Sequence, residues 1–304
     1  MTNVLSRRNV LGAGLAVSAT AVATTALSGT ALAQETPGGA LIGAPEGDQL
    51  HMITFNLRYE GGDPSPRTWD ERRPLVQTVL KREQPTVLFT QEGLYGQNQD
   101  VLDDLKDHDW IHLGRLGGSK SEATAVFWDR GRLKVLEYDH LWLSDTPLLI
   151  GSKNWGNNVV RMLTWVRFSD LRTGKDFYVV NNHFDHQSEE SRQKGAQMNL
   201  DVIAPWTSPV VVAGDFNNTP DTPIYQILTD GGLVDTMIEA EEPATPVYGT
   251  WNGWDPVPTE EERRIDWILT TPDVRILKAG VNTYSKDGRT PSDHWAAQAL
   301  IELP

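Results

Sequence analysis

The sequence predicts an α+β fold, a single domain built on stacked β-sheets. Three observations carry this. Extended and helical patterns alternate along the chain, no segment repeats, and no interior stretch reads as a linker long enough to divide domains. The 304 residues suffice for one large core. A composition of 39% hydrophobic and 22% charged residues is that of a folded chain rather than a disordered one.

The first 33 residues stand apart from this pattern. Their only charges are Arg7 and Arg8, followed by an uncharged run rich in Ala, Gly, Ser and Thr that ends in Ala31-Leu32-Ala33. This is the layout of an export signal, and Ser6-Arg7-Arg8-Asn9-Val10-Leu11 resembles the twin-arginine type. The expected partner is the twin-arginine export machinery, and the expected location is secreted, periplasmic or at the cell envelope. The Gly, Ser and Thr content argues against a permanent membrane anchor. Residues 34–48, rich in Gly, Pro and Ala, read as a linker, and 49–304 as the folded domain.

Within that domain Leu50 to Leu57 reads as a strand. Asp70 to Gln84 reads as a helix with an apolar face at Leu75, Val76, Val79 and Leu80, ended by Pro85. Thr86 to Thr90 is a short buried strand, and Gln97 to Asp107 a second helix. Ala123 to Asp129, Leu133 to Glu137, Val159 to Phe168 and Phe177 to Asn181 are further strands. Ser188 to Trp206 reads as a helix, and Val210 to Ala213 as a strand stopping at Gly214. Ile265 to Leu269 and Trp295 to Ile301 complete the set.

Polar residues gather where these strands end: Asn56, Gln91-Glu92, Asn182-His183-Phe184-Asp185-His186, Gly214-Asp215-Phe216-Asn217, and Ser292-Asp293-His294 before the last strand. Such groups are costly inside a sheet and well placed at a shared rim. Taken singly, Asp215 and Asn217 read as turn formers, Glu92 as a solvated carboxylate and the histidines as structural. Asp266 sits in the apolar run Ile265 to Leu269, where a carboxylate needs a partner or a metal.

The chain has no cysteine, which excludes a disulfide scaffold, a thiol nucleophile, an iron–sulfur centre and a cysteine zinc finger. No Gly-x-Ser-x-Gly elbow supports a serine nucleophile. With 27 basic and 41 acidic residues the formal charge is −14, so no general positive field attracts long nucleic acid. A polyanionic substrate has to be met locally, for example by a metal ion.

The ordered set Thr54-Phe55-Asn56, Gln91-Glu92-Gly93, Asn182-His183-Phe184-Asp185-His186, Gly214-Asp215-Phe216-Asn217, Arg264-Ile265-Asp266 and Ser292-Asp293-His294 resembles the endonuclease/exonuclease/phosphatase superfamily across residues 50 to 302. The closest flavour is that of secreted bacterial relatives of the carbon-catabolite-repressor deadenylases. The resemblance implies a four-layer α/β sandwich, with two central, mostly antiparallel sheets flanked by helices. It implies a hydrolase of phosphoesters using Mg²⁺, with Mn²⁺ as an alternative. It also implies roles. Glu92, Asn56 and Asp293 stand on the metal side, and Asp215 orients or deprotonates water beside Asn217. His294 lies at the scissile phosphate with Asp266 as its partner, and His183 is a further phosphate donor.

These roles make chemical sense. A phosphodiester repels nucleophiles, a hard cation on carboxylate and amide oxygen offsets its charge, and a carboxylate fixes its histidine in the charged form. Two arginines are candidate phosphate contacts: Arg58, standing where some members carry an acidic residue, and Arg161 in Val159 to Trp165. Arg58 there weighs against a second metal. Asp185 falls on the same side of an extended segment as His183 and reads as its support. Trp69, Trp155, Trp251 and Trp254 are expected in loops, closing over the core or stacking on substrate. The readings left open are a monomeric exported phosphoesterase of mono- or diesters, a secreted exonuclease or endonuclease, and a non-catalytic binding module of the same fold.

Overall fold

A computed structural model describes residues 39–260 and 262–304. The expected export signal lies outside the described residues, as does residues 34–38 of the expected linker. In chain order the elements begin with β1 (Leu50–Asn56), α1 (Trp69–Glu83), β2 (Val87–Gln91), α2 (Tyr95–Asp104), β3 (His108–Ile111) and β4 (Ala125–Asp129). There follow β5 (Leu133–Trp142), β6 (Met162–Asp170), β7 (Asp176–His183), α3 (Glu189–Ile203), β8 (Val210–Asp215) and α4 (Pro223–Asp230). The chain closes with β9 (Val234–Asp235), α5 (Thr236–Glu239), β10 (Glu242–Pro243), β11 (Asp266–Thr270), β12 (Arg275–Asn282) and β13 (Ala296–Glu302).

The strands form two sheets, one ordered β10-β12-β13-β1-β2-β4-β3 and the other β5-β6-β7-β8-β11-β9. The pairs β1/β2, β7/β8 and β10/β12 are parallel and the other ladders antiparallel. Alternation along each strand explains the layers. Met52, Phe89 and Val126 of the first sheet share one core with Phe168, Val179 and Val211 of the second. Ile53, Phe55 and Leu88 face the other way and pack with Val76 and Leu80 of α1 and Val101 of α2. Val180, Val212 and Leu269 likewise pack with Ala196 of α3 and Ile224 and Leu228 of α4. The result is the expected four layers, and each such side chain contributes about 1.5–3 kcal/mol on burial.

Local signals set the first helix. Glu71 accepts from the Thr68 backbone N–H at 3.2 Å, closing the N-terminal turn, and Gln84 ends the helix in the left-handed region before Pro85. Several bounds differ from expectation. α2 stops at Asp104, because His108–Ile111 leaves the helix pattern to pair with β4. β5 runs on to Trp142 through the half-exposed Tyr138–His140, whose polar edge character hides a strand. Val159–Arg161 precede β6, which starts at Met162. α3 ends at Ile203, short of Trp206. β3, β12 and α4 carry no strict alternation or long apolar stripe and were not anticipated.

β7 and β8 also extend further than expected, through His183 and Asp215. Gly214 makes this possible. A Cβ there would lie 2.2 Å from the Asn182 carbonyl oxygen, so only glycine permits the parallel strands to continue in register. In the described part of the expected linker, the Leu41, Ile42 and Gly43 N–H groups donate to the buried Glu83 carboxylate at 2.7, 3.1 and 3.0 Å. That stretch is fastened to the sandwich by this carboxylate.

Candidate active site

Strand register brings the polar residues together. Asn56 pairs with Gln91 where β1 and β2 end, His183 with Asp215 where β7 and β8 end, and Asp215 with Asp266 where β11 begins. Just beneath, Gln91 Nε2 donates to Asn181 Oδ1 at 2.7 Å, and Asn181 Nδ2 donates to the Thr90 and Ala125 carbonyls at 2.9 and 2.8 Å. This fully buried bridge joins the two sheets directly below the rim.

The rim opens into a cleft of about 610 Å³. Arg58, Glu92, Arg161, His183, Asp215, Asn217, Asp293 and His294 line it. Asn56 and Asp266 are buried behind this surface. All ten residues singled out in the sequence therefore meet at one place, eight on the wall and two supporting it.

Asp266 Oδ2 and His294 Nδ1 are 2.9 Å apart, and the Asp266 N–H donates to Thr250 Oγ1 at 2.9 Å. The nearby Arg264 guanidinium is committed elsewhere, to Asp235 Oδ2 at 2.6 Å. Burial opposes charge on His294, but the Asp266 carboxylate overcomes it and raises the imidazole pKa to about 10. Asp215 is pushed up to about 7 by burial and by the neighbouring Asp266 carboxylate. His183 is held well below its usual value by burial and by Arg161, so it is neutral.

Asn56 Nδ2 donates to Glu92 Oε1 at 3.1 Å and to Asp215 Oδ2 at 3.0 Å, while Asn56 Oδ1 accepts from the Arg58 N–H at 2.9 Å. Asn56 thus orients two carboxylates of the cleft. Glu92 is turned toward the cleft by a left-handed backbone, φ 61°, and the Tyr59 N–H donates to its Oε2. Burial raises the Asp293 pKa, with Glu92 adding to it. The Arg58 guanidinium lies 3.9 Å from both Glu92 and Asp293 and 2.7 Å from Asp63, so it serves the carboxylates as well as the cleft. Glu92, His183 and Asp215 offer donor atoms within 4.8 Å of one another. Two carboxylates and an imidazole with no sulfur fit a divalent cation.

Asp215 Oδ2 lies 3.5 Å from His183 Nε2, and the Asn217 N–H donates to Asp215 Oδ1 at 2.8 Å. Asn217 Nδ2 donates to the Phe184 carbonyl, which ties the turn after β8 to that after β7. Arg161 is buried and donates to neutral imidazoles, with Nη1 2.8 Å from His183 Nε2 and Nη2 3.0 Å from His186 Nδ1. Its Nε is unpartnered, and the nearest carboxylate oxygen, on Asp185, is 3.9 Å away. Both groups are buried, so Asp185 is the counter-ion of this cleft-wall cation without hydrogen-bonding to it. Asp185 accepts the Gln187 and Ser188 N–H groups, a turn-forming role.

Sequence reasoning missed Arg72. It lies in α1 and is 2% exposed. It donates to the Leu57, Arg58, Pro291 and Arg67 carbonyls at 2.8, 2.9, 2.8 and 2.9 Å. It thereby clamps the exit of β1 to the segment carrying Asp293. The available signal was a cation one turn before Leu75 and Val76 on the apolar stripe. Arg115 and Glu122, which pair on the cleft wall with Nη1 to Oε2 at 2.8 Å, were also missed. Of the four tryptophans, Trp69 opens α1 and is buried with its Nε1 on Asp100, not in a loop. Trp155 is buried on Asp145, and Trp254 lies against the Arg67 and Arg72 guanidinia. Trp251 alone among them lines the cleft, with the Arg263 guanidinium 4.2 Å from its ring centroid.

Comparison with known proteins agrees with this geometry. The chain is similar to the endonuclease/exonuclease/phosphatase of Bacteroides vulgatus, 31% identical, with a TM-score of 0.80 over 84% of this chain and 99% of that one. It is similar to a mannosyl-6-phosphatase of Bacteroides thetaiotaomicron, 28% identical, with a TM-score of 0.76 over 84% and 99%. It is 24% identical over 216 residues to carbon catabolite repressor protein 4 homolog 5 of Arabidopsis thaliana, an alignment covering 63% of this chain and under half, 46%, of that relative. The model of the Endonuclease/Exonuclease/phosphatase family matches residues 53–294, the span that carries every residue of the cleft described above. The chain belongs to the Endonuclease/Exonuclease/phosphatase family, whose members are metal-dependent hydrolases of phosphoester bonds.

Proposed function

We propose that this protein is an exported phosphoesterase that hydrolyses mono- or diesters of small phosphate-bearing substrates by in-line attack of water. The observation that carries the reading is Asp215 and the His294–Asp266 pair converging on a cleft flanked by Glu92 and Asp293. Glu92 and Asp293 would hold Mg²⁺, or Mn²⁺, which when bound offsets phosphate charge.

The chain's own residues divide the remaining work. Asp215 accepts the proton of the attacking water, and a pKa near 7 suits a base working near neutrality. His294, kept charged by Asp266, donates to a phosphate oxygen as negative charge accumulates. Arg161, on the cleft wall beside His183, holds the phosphate. Asn56 and Asn217 keep Asp215 in place. The cleft volume and the acidic chain favour a small ester, and the likeness to a mannosyl-6-phosphatase supports a phosphomonoester such as a sugar phosphate. The paired arginines Arg7 and Arg8 and the small-residue end at Ala33 support export.

A second reading, a secreted nuclease, draws on Trp251, whose face on the cleft wall suits a nucleobase. A panel of p-nitrophenyl phosphate, bis-p-nitrophenyl phosphate, sugar 6-phosphates, single-stranded RNA and single-stranded DNA, each with Mg²⁺ and with EDTA, separates the two. Mg²⁺-dependent turnover of the small esters is expected. Shortening of RNA or DNA with the small esters untouched selects the nuclease, and no turnover at all leaves a binding module.

A further inference from the structure

Beside the cleft two loops expose an apolar surface that the hydrolytic site does not use. Leu148, Leu149 and Ile150 are 75%, 62% and 54% exposed, and Leu116 is 52% exposed. They form one patch. Ile150 lies over Gly117, where a Cβ would stand 3.1 Å from its Cγ2, and Leu116 Cδ2 lies 3.8 Å from the equivalent position at Gly151. The patch is held to the cleft wall. Trp142 Nε1 donates to the carbonyl of Arg115, a cleft residue, and the Trp142 N–H donates to the Pro147 carbonyl, both at 2.8 Å. The Leu149 N–H donates to Thr146 O and the Ser152 N–H to Leu149 O at 3.0 Å, so the apolar tip is a hydrogen-bonded turn.

Two exposed lysines, Lys120 and Lys153, flank the patch. Residues 112–121 contain Arg115 and Lys120 and no acid, and residues 146–161 contain Lys153 and Arg161 and no acid, in a chain of net charge −14. Of the acids that bound these stretches, Glu122 is paired with Arg115, and Asp145 accepts from the neutral Trp155 indole and keeps its charge. Lys120 and Lys153 are exposed at the margins. Contiguous apolar side chains flanked by two exposed lysines match an anionic lipid surface, into whose headgroup layer the leucines insert while the lysines meet phosphate.

We propose that Leu116 and Leu148–Ile150, flanked by Lys120 and Lys153, dock this protein on an anionic lipid–water interface with the cleft beside the membrane. The absence of native cysteine permits a local test. Leu149→Cys in the full chain provides a single thiol for an environment-sensitive nitrobenzoxadiazole label, and Asp107→Cys, ahead of β3 at the opposite end of the strand that leads to Leu116, provides the control. Mixed phosphatidylcholine–phosphatidylglycerol vesicles should blue-shift and brighten the label at 149 and leave that at 107 unchanged. Pure phosphatidylcholine should act weakly. Lys120→Glu with Lys153→Glu should weaken the apparent vesicle affinity reported at 149 by at least about tenfold. Hydrolysis of a soluble ester should be unchanged in the charge variant, so failure here is distinguishable from failure of the hydrolase reading. No response at 149, or equal responses at both sites, overturns the proposal. A response without vesicles that grows with protein concentration, with a doubled mass in light scattering, overturns it in favour of a second copy as the occupant.

Discussion

His294 Nδ1 lies 2.9 Å from Asp266 Oδ2 although 28 residues separate them, and β11 and the segment before β13 must both be in place for the contact to exist. In the proposed hydrolysis the pair works as one unit, so its losses should not multiply. His294→Ala and Asp266→Asn are each expected to lower kcat by about 10³-fold or more, with the double variant little worse than the worse single one. Multiplicative losses in kcat would show two independent residues.

Glu92→Gln keeps the shape of the side chain and removes its charge. The variant should keep its thermal transition and lose Mg²⁺ affinity by more than about tenfold in calorimetry. Undiminished Mg²⁺ binding would remove Glu92 from the cation site.

The hydrogen bonds of Arg72 go to backbone carbonyls. Arg72→Met should strand buried carbonyls and lower unfolding free energy by about 3 kcal/mol. Arg72→Lys should recover only part of this, since an ammonium lacks the planar fork that reaches Leu57, Arg58 and Pro291 together. Because the clamp joins the Asn56 and Asp293 segments, the Lys variant should also weaken Mg²⁺ binding. Denaturant titration and calorimetry on the same preparations read both effects.

Asn181 donates to two carbonyls and accepts from Gln91. Asn181→Asp replaces those donors with a buried carboxylate that repels both oxygens. A loss of about 3 kcal/mol is expected at pH 7. It should shrink as the pH falls, because protonating the carboxyl restores one donor. A pH-independent loss would point to packing instead.

Burial lowers the pKa of both His112 and His140 to about 4. Their folded values lie below the unfolded value of about 6.5, so the unfolded chain binds more protons between these limits. Their contribution is therefore complete above pH 6.5 and lost as the pH falls toward 4. Each histidine should cost about 1–2 kcal/mol by pH 4.5, after discounting for partial exposure. Urea midpoints at pH 7 and 4.5 test this, and His112→Gln with His140→Gln should flatten the difference.

Much of this site was legible because strand-end polarity survives in a linear pattern: an apolar run that stops in Asn, Glu, His or Asp marks the rim whichever sheet holds it. The His294–Asp266 pair was legible for a related reason, since Asp266 in an apolar run requires a partner. Arg72 was harder to see, because its partners are backbone carbonyls that carry no side-chain signature. β3 and the second half of β5 were hidden because edge strands alternate only partly between core and solvent. Arg115 and Glu122 come from a loop outside any strand, where the Arg115 N–H donates to the Glu122 carbonyl at 2.8 Å and the Trp142 indole holds the Arg115 carbonyl, neither of which has a signature in sequence.

The Gln91–Asn181 bridge has a consequence for how this molecule can change over evolutionary time. It welds together the two sheets that carry the reacting groups, whereas Arg115, Glu122, Trp251 and Arg263 stand on segments outside any long strand. Bond-breaking chemistry and the choice of what is broken are therefore encoded in separable stretches of chain. Lengthening or exchanging residues 115–122 can redirect the cleft to a new ester while leaving the welded groups undisturbed, whereas Thr250, which takes the Asp266 N–H, ties the Trp251 stretch to them.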